Sequence, residues 1–240
     1  MRRTWMGVRP EIRTRRGLIR WVTAAVLVLP QASAVTPFSQ MPAGGVPDGW
    51  EPLRFSDVDD TPYELVEYEG QVVLEANSAG TASALVTSVD IELDRTPMLE
   101  WSWASDEACF VGDWTDEATD DYPMRLFVLF EARGGLFGWM RKLTPGFDGD
   151  AVLYLPDDDA APDADRASHI SGRIRVVPLP VDSGPDGWQR QRRDVEADYE
   201  AVFGRAPRGI AGVAVMTDTD NTGTACRTRF GDIRFDERTP

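Results

Sequence analysis

Short segments in which apolar and polar residues alternate recur along this chain, and this period of two constrains the fold more than any other feature. In the segment MLEWSW the apolar residues Leu99, Trp101 and Trp103 share one face, as expected for a strand with one buried face, which predicts both tryptophans in the core. The segment MRLFVLFE is apolar on both faces, which indicates the centre of a sheet. The predicted strands are Tyr63–Tyr68, Gln71–Ala76, Ser83–Leu93, Met98–Trp103, Met124–Glu131, Arg173–Leu179, Ile210–Thr217 and Arg229–Phe235.

Turn and capping residues indicate how these segments connect. Glu69 and Gly70 form a two-residue connection whose glycine tolerates a positive φ, which predicts a hairpin between the first two strands. One helix is predicted, with Asp194 as its N-cap and Gly204 at its end, because four apolar residues recur at helical spacing: Val195, Tyr199, Val202 and Phe203. Many strands and one short helix predict an all-β fold, an antiparallel β-sandwich of the jelly-roll type found in galactose-binding and carbohydrate-binding modules.

The N-terminus has the composition of an export signal. Twenty residues rich in arginine precede the apolar stretch Trp21–Leu29, and Ala32–Ala34 supplies an A-x-A cleavage site, which predicts a cleavable signal peptide over residues 1–34. The apolar stretch is much shorter than the roughly 20 residues that span a bilayer, so no permanent membrane anchor is expected. The segment Thr14–Arg20 either is a twin-arginine export motif or belongs to an ordinary basic region.

The predicted exported part is strongly acidic. Residues 35–49 resemble a linker, and residues 50–240 are long enough for one domain, in which Pro156–Asp165 is expected to be a solvated acidic loop. Without the signal peptide, which holds seven of the 25 basic and one of the 40 acidic residues, the formal net charge is −21. This charge repels phosphate groups, so nucleic acid and anionic membrane surfaces are poor partners. Because of the predicted cleavable signal peptide, the protein is expected in the periplasm or outside the cell. Adaptation to salt would also explain the acidity without any site.

The chain has two cysteines, Cys109 and Cys226. In an oxidising compartment a disulfide between them is expected, which would close a loop of more than 100 residues; two separate buried thiols are the alternative. A zinc site is disfavoured because His169 is the only histidine.

Several motifs, in their order along the chain, resemble the exported bacterial family called domain of unknown function 3047 (DUF3047). They are GWEPLRF (Gly49–Phe55), LEWSW (Leu99–Trp103), DDYPMRLFVLF (Asp120–Phe130), GWQRQRRDVEADYEAVFGRAP (Gly187–Pro207) and IAGVAVMTDTDNTGTA with FGDIRF (Ile210–Phe235). The resemblance implies a secreted domain akin to carbohydrate-binding jelly rolls and implies no activity. Where the family has a Tyr-Leu-Trp-like strand end, this chain has Tyr154, Leu155 and Pro156, so ligand contacts at that strand end are in doubt.

The segment MTDTDNTG places two carboxylates and an amide directly after an apolar strand. Asp218 and Asp220 have the spacing of calcium ligands in an EF-hand loop, but Arg229 stands where that loop needs a bidentate acid, so an EF-hand is excluded. Three interpretations stay open. The loop binds calcium through Asp218 and Asp220, it binds a polar ligand through these residues and Asn221, or it is an Asx-type turn whose side chains bond their own backbone.

A second acidic turn, DDYPMR, precedes the apolar strand MRLFVLFE. Asp120 and Asp121 repel each other, which a cation or Arg125 would relieve, and Tyr122 either stacks on a sugar ring or packs on a neighbouring strand. If the two acidic turns open at the same end of the sandwich, they form one ligand-binding site. Its predicted residues are Asp120, Asp121, Tyr122, Arg125, Asp218, Asp220 and Asn221.

Catalytic motifs are missing from the sequence. It contains no G-x-S-x-G elbow, P-loop or dinucleotide fingerprint, and His169 has no motif around it, so we expect a structural histidine. Trp114 and Trp139 lie in polar or glycine-rich stretches and are the candidates for surface aromatics.

The sequence favours a secreted, non-catalytic domain that binds a polar ligand, with a glycan as the preferred class and calcium as a candidate cofactor. Two alternatives remain. One is a carbohydrate-active enzyme of the cell envelope that uses the carboxylates of both turns, and the other is a structural or assembly protein without a small ligand.

Overall fold

Strands make up most of the folded chain, and a computed structural model describes residues 35–109, 111–131, 149–158, 167–182, 184 and 186–238. In chain order the elements are β1 (Glu51–Arg54), β2 (Tyr63–Tyr68), β3 (Gln71–Ala79), β4 (Ser83–Ile91), β5 (Met98–Ser105), β6 (Arg125–Phe130), β7 (Ala151–Pro156), β8 (Ile174–Leu179), β9 (Gln189–Asp194), α1 (Val195–Phe203), β10 (Ile210–Met216), β11 (Ala225–Phe230) and β12 (Arg234–Asp236), with a 3-10 turn at Phe38–Gln40.

Two six-stranded sheets form a β-sandwich. The first sheet has the order β1-β4-β10-β6-β7-β8. In the second sheet β9 pairs with one edge of β5, and β11 and β12 pair with different parts of its opposite edge. β3 pairs with the other side of β11, and β2 pairs with β3 at the far edge. The sandwich prediction is confirmed, with one difference: β7 and β8 pair in parallel, whereas every other pair of strands described is antiparallel.

The core lies between the sheets and is built from alternate residues of each strand. Leu74 of β3 and Trp101 of β5 belong to the same buried cluster as Val128 of β6 and Val215 of β10. The prediction that Trp101 and Trp103 are core residues is confirmed, since these side chains are 3% and 4% exposed. Their rings add apolar area to the core, whereas each indole N–H is buried without a hydrogen-bond partner among the described residues.

The segment Arg229–Phe235, predicted as one strand, is divided between β11 and β12. Both strands pair with the same edge of β5, and the chain turns away from the ladder between them. At this break the N–H of Gly231 donates to the carbonyl of Ser102 over 2.9 Å, and a Cβ on Gly231 would lie 2.2 Å from the Ser102 hydroxyl oxygen. A side chain at position 231 would therefore force the Ser102 hydroxyl to rotate away from this break.

The helix α1 begins and ends as predicted. The Asp194 carboxylate accepts a hydrogen bond from the Ala197 N–H over 3.1 Å, and Gly204 ends the helix in the left-handed conformation with φ 67°. Val195 and Tyr199 are buried, and α1 contacts β8 and β9, which are edge strands of different sheets. The helix therefore covers the side of the sandwich where these two edges meet.

Residues 35–49 pack against the domain and do not form a free linker. The Phe38 ring is buried with its centroid 5.4 Å from that of Trp50, and the Ser39 hydroxyl donates to Asp232 over 2.7 Å. The predicted signal peptide lies outside the described residues and remains a prediction. None of the helices in the described ranges has the length and apolar character needed to cross a membrane.

Candidate functional site

The two acidic turns lie side by side at one end of the first sheet. Met216, the last residue of β10, is opposite Arg125, the first residue of β6, so the turns beyond them leave the sheet together. The N–H of Asp218 donates to the Tyr122 carbonyl over 3.2 Å, and the N–H of Tyr122 donates to the Asp218 carboxylate over 3.2 Å. We call this cluster the acidic-turn site; it consists of Asp120, Asp121, Tyr122, Arg125, His169, Asp218, Asp220 and Asn221.

Arg125 is the counter-ion at the centre of the site. Its side chain is 2% exposed, and its Nε and Nη2 lie 2.8 Å from the two carboxylate oxygens of Asp218. The same Nη2 lies 2.9 Å from Asp120 Oδ1. The guanidinium carbon lies 4.9 Å from the centre of the Tyr122 ring, a cation–π contact. One buried guanidinium thus serves two buried carboxylates, which is the relief of repulsion that the sequence allowed for.

Asp121 holds the other turn in place. Its carboxylate accepts hydrogen bonds from the N–H of Asn221 over 3.1 Å and from the N–H of Thr222 over 2.7 Å. The Thr222 hydroxyl donates to the same carboxylate over 2.5 Å, and the Asn221 amide donates to the Glu117 carbonyl over 2.6 Å. The sequence allowed for an Asx-type turn that bonds its own backbone, whereas in the structure a carboxylate about 100 residues earlier in the chain bonds it.

Tyr122 and Trp114 are buried and do not offer stacking surfaces. The Tyr122 hydroxyl donates to the Gly112 carbonyl over 2.8 Å and accepts from the Trp114 N–H over 3.1 Å, and burial raises its pKa. Trp114, predicted at the surface, is 4% exposed, with its indole N–H donating to Asp157 over 3.0 Å. Trp139, the other predicted surface aromatic, lies outside the described residues.

His169 joins the site, although no motif in the sequence points to it. Its Nε2 lies 2.6 Å from Asp120 Oδ2, and its side chain is 29% exposed. Asp120 therefore bridges a buried arginine and a partly exposed imidazole. Asp120 and His169 are 49 positions apart, and the sequence between them carries no pattern that could have indicated this contact.

A disulfide joins the chain segments on either side of the site. The predicted partners Cys109 and Cys226 are bonded, with their Cα atoms 4.8 Å apart. Cys109 lies near the start of the loop that leads from β5 to Asp120, and Cys226 lies in β11 just after the second turn. The loop is tight at Gly112, where a Cβ would lie 1.8 Å from the Thr119 carbonyl oxygen.

The exposed side chains of the site are those of Asp220 and Asn221, together with part of the His169 ring. Asp121, Asp218 and Asp220 each place a carboxylate oxygen within 4.8 Å of the others, a spacing that a calcium ion could bridge. Asp218 and Asp121 are already bonded to Arg125 and to the second turn, so Asp220 contributes the carboxylate with the most free acceptor capacity. Partial desolvation of its carboxylate by the surrounding turns, reinforced by the charge of Asp121, raises the pKa of Asp220 although the residue is exposed.

Asp218 should make the stability of the protein depend on pH. Burial raises the pKa of Asp218 from 3.8 to about 6, although Arg125 acts to lower it. Because the folded-state pKa is above the unfolded one, the stabilisation from protonated Asp218 is present below pH 3.8 and is lost as pH rises through about 6. A shift of this size corresponds to roughly 3 kcal/mol.

The comparison with Asp218→Asn isolates this contribution. Urea unfolding of both proteins at intervals from about pH 4 to 7 should show the wild type losing roughly 2 kcal/mol relative to the variant. Parallel pH dependence of the two proteins would show that Asp218 titrates at its ordinary pKa.

Comparisons with known proteins identify a family and give only distant structural likenesses. A family model described as "Protein of unknown function (DUF3047)" matches residues 48–234. No curated protein matches the sequence. A cleaved adhesin domain of Lys-gingipain from Porphyromonas gingivalis has 10% identity and a TM-score of 0.42, covering 85% of this chain and 100% of that domain.

Two further solved structures have similar values. The family 30 carbohydrate-binding module of a cellulosomal cellulase of Clostridium thermocellum has 12% identity and a TM-score of 0.38, covering 87% of this chain and 99% of the module. A thermostable cellulase derived from the Cel12A cellulase of Rhodothermus marinus has 10% identity and a TM-score of 0.40, covering 78% of this chain and 98% of the cellulase. Likeness at this level gives no information about what this chain binds.

Proposed function

The chain belongs to the DUF3047 family, and from the acidic-turn site we propose that it is a non-catalytic domain that binds a polar ligand, with glycans as the ligand class. The observation that carries the proposal is the exposure of Asp220 and Asn221 on a turn that Asp121 and the Cys109–Cys226 disulfide hold in place. A surface that is already ordered loses little conformational entropy when a ligand binds, so its few polar groups can be used for affinity.

The available hydrogen-bonding groups suit hydroxyl-rich ligands. The Asp220 carboxylate can accept from ligand hydroxyls, and the Asn221 side chain retains an acceptor oxygen and one N–H beyond its bond to Glu117. Sugar hydroxyls both donate and accept, so they can satisfy both kinds of group. An anionic ligand is disfavoured at this site because four carboxylates surround one arginine and one histidine.

The placement of the carboxylates argues against the glycosidase alternative. Such an enzyme needs two carboxyl groups facing a substrate, about 5–5.5 Å apart for retention or 6.5–9.5 Å apart for inversion. Asp120, Asp121 and Asp218 are buried and bonded to protein groups, which leaves Asp220 as the exposed carboxylate of the site. One exposed carboxylate supports binding better than acid–base catalysis.

We also propose that the domain acts outside the cytoplasm. The predicted signal peptide over residues 1–34 carries this proposal, and a disulfide is the cross-link expected in an oxidising compartment.

A glycan array followed by calorimetry on the array's best ligand tests the binding proposal. Asp220→Asn and Asn221→Ala should each weaken binding at least about tenfold, because each removes a hydrogen bond worth roughly 1.5 kcal/mol. The control is Asp90→Asn, which makes the same charge change at an exposed position near the other end of β4 and should leave binding unchanged. Ligand binding that is equally strong in all three variants would remove the acidic-turn site from the proposal.

The same experiment separates the alternatives. Release of a reducing sugar would indicate the carbohydrate-active enzyme, and the absence of any glycan bound would favour the structural role. Thermal unfolding with calcium or with a chelator tests calcium at Asp218 and Asp220. A calcium-dependent rise in Tm that Asp220→Asn abolishes would support it, and an unchanged Tm would remove it.

A further inference from the structure

His169 is the residue of the acidic-turn site that has no role in the proposed function. Its Nε2 lies 2.6 Å from Asp120 Oδ2, and its side chain is 29% exposed whereas that of Asp120 is 6% exposed. The ring is therefore bonded to a buried group on one side and reaches solvent on another. A ring that is already held in this way loses little conformational entropy when a ligand binds to it.

The contact with Asp120 decides which ring nitrogen carries the proton. Asp120 Oδ1 lies 2.9 Å from Arg125 Nη2, and a carboxylate that is paired with a guanidinium accepts hydrogen bonds without donating any. The Nε2–H of His169 must then donate to Asp120 Oδ2. In the neutral imidazole the other nitrogen, Nδ1, is left with a free lone pair, so it can only accept a hydrogen bond.

The acceptor at Nδ1 is not used within the fold. Among the residues that the structure describes, His169 forms its hydrogen bond through Nε2, and Nδ1 has no partner. The backbone around the ring is held by its neighbours: the N–H of Ser168 donates to the Ile174 carbonyl over 3.0 Å, and the N–H of Ile170 donates to the Ser168 hydroxyl over 3.2 Å. Both the ring and its backbone are thus ordered, and one acceptor on the ring remains available.

Short contacts join His169 to the exposed turn. Asp120, which bonds His169, shares the Arg125 guanidinium with Asp218, whose Oδ2 lies 2.8 Å from Arg125 Nη2. A carboxylate oxygen of Asp218 lies within 4.8 Å of one of Asp220. The exposed groups at the two ends of this chain of contacts, His169 Nδ1 and the Asp220 carboxylate, are both acceptors.

We propose that His169 Nδ1 accepts a hydrogen bond from the ligand, and that the ligand is a neutral sugar with free hydroxyl groups. This inference rests on the proposed function and narrows its ligand class. Because Asp220 and the neutral His169 ring can only accept, a ligand that contacts both must supply two donors. Free sugar hydroxyls supply them, whereas alkylated or acylated hydroxyls do not. The competing explanation is a histidine that only stabilises Asp120.

Nitrogen-15 NMR of the protein without an affinity tag tests the state of the ring, since His169 is the only histidine in the chain. At about pH 8, where an ordinary imidazole is neutral, Nε2 should carry the proton and Nδ1 should not. Titration with the methyl glycosides of glucose, galactose and mannose should shift the Nδ1 signal for at least one of them. A proton on Nδ1, or an Nδ1 signal that no bound glycoside shifts, would overturn the proposal.

Two variants separate a ligand contact from a structural role. Glutamine can place its amide N–H near the position of Nε2, so His169→Gln keeps a donor to Asp120 and lacks the acceptor at Nδ1. It should keep the wild-type Tm and bind the glycoside that shifts Nδ1 at least about tenfold more weakly. Asparagine can place its amide oxygen near Nδ1, so His169→Asn should keep more of the affinity and lower Tm. Wild-type affinity in His169→Gln would leave His169 a structural role only.

Monodeoxy derivatives of the same glycoside identify the hydroxyl that donates to Nδ1. The derivative that lacks this hydroxyl should bind the wild type about tenfold more weakly than the parent glycoside, while His169→Gln should bind the two equally. Glycoside binding that Asp220→Asn weakens and His169→Gln does not would overturn this inference alone. No binding of the three methyl glycosides would also overturn it, and a glycan array without any bound glycan would overturn the proposed function as well.

Discussion

Replacing Arg125 with methionine is expected to lower the free energy of unfolding by about 3–5 kcal/mol at pH 7. The substitution keeps a long side chain in a site that is 2% exposed but removes the counter-ion of Asp120 and Asp218. Two carboxylates would then be buried without their shared cation, and urea unfolding measures the cost. The matched control is Arg192→Met, which breaks an exposed ion pair with Glu100 and should cost less than about 1 kcal/mol.

The loss of unfolding free energy in Arg125→Met should depend on pH and on whether Asp218 is charged. Because burial raises the pKa of Asp218 to about 6, acidification towards pH 4 protonates this carboxyl and should reduce the difference between variant and wild type. The double variant Arg125→Met with Asp218→Asn should recover part of the stability, since it removes one of the unpaired charges. If Arg125→Met and Arg192→Met had equal effects at pH 7, the buried ion pair would not hold the acidic turns together.

The strands could be predicted because their signal is local. Alternation marks Met98–Trp103 and the apolar run marks β6, and both strands are found with the predicted faces buried. The strand β9, QRQRRD, was not predicted, since it has no apolar residue that could alternate. Its side chains are satisfied instead by acidic residues of other elements, such as Glu100 for Arg192. A strand whose faces are satisfied by distant charges gives no hydrophobic period.

The sequence predicted only those residues of the site whose type and immediate neighbours indicate a role. Adjacent carboxylates and a nearby arginine indicated Asp120 and Arg125, but nothing local showed that His169 would reach Asp120. The prediction that Trp114 lies at the surface was wrong because its partner is also distant in sequence. Trp114 lies in a polar stretch, yet it is buried, and Asp157, 43 positions away, accepts a hydrogen bond from its indole N–H. Burial of a polar aromatic depends on a partner, and the partner is set by the tertiary fold.

Removing the disulfide with Cys109→Ala and Cys226→Ala together should lower the free energy of unfolding by about 4–5 kcal/mol, as the chain-entropy model gives for a loop of more than 100 residues. The cysteines are separated by 117 positions. Urea unfolding of the double variant and of the reduced wild type should agree, because both lack the same cross-link.

Loss of the cross-link should also loosen the acidic-turn site before the rest of the sandwich. The second turn is held by Asp121, which lies in the segment that Cys109 begins, and Cys226 follows that turn in β11. Hydrogen exchange should therefore speed up at the N–H groups of Asn221 and Thr222, while those of the central strand β6 exchange at a rate set by the lower global stability. Unchanged exchange at Asn221 and Thr222 would mean that the hydrogen bonds to Asp121 order the turn without the disulfide. The acidic-turn site would then be equally ordered in the reduced protein.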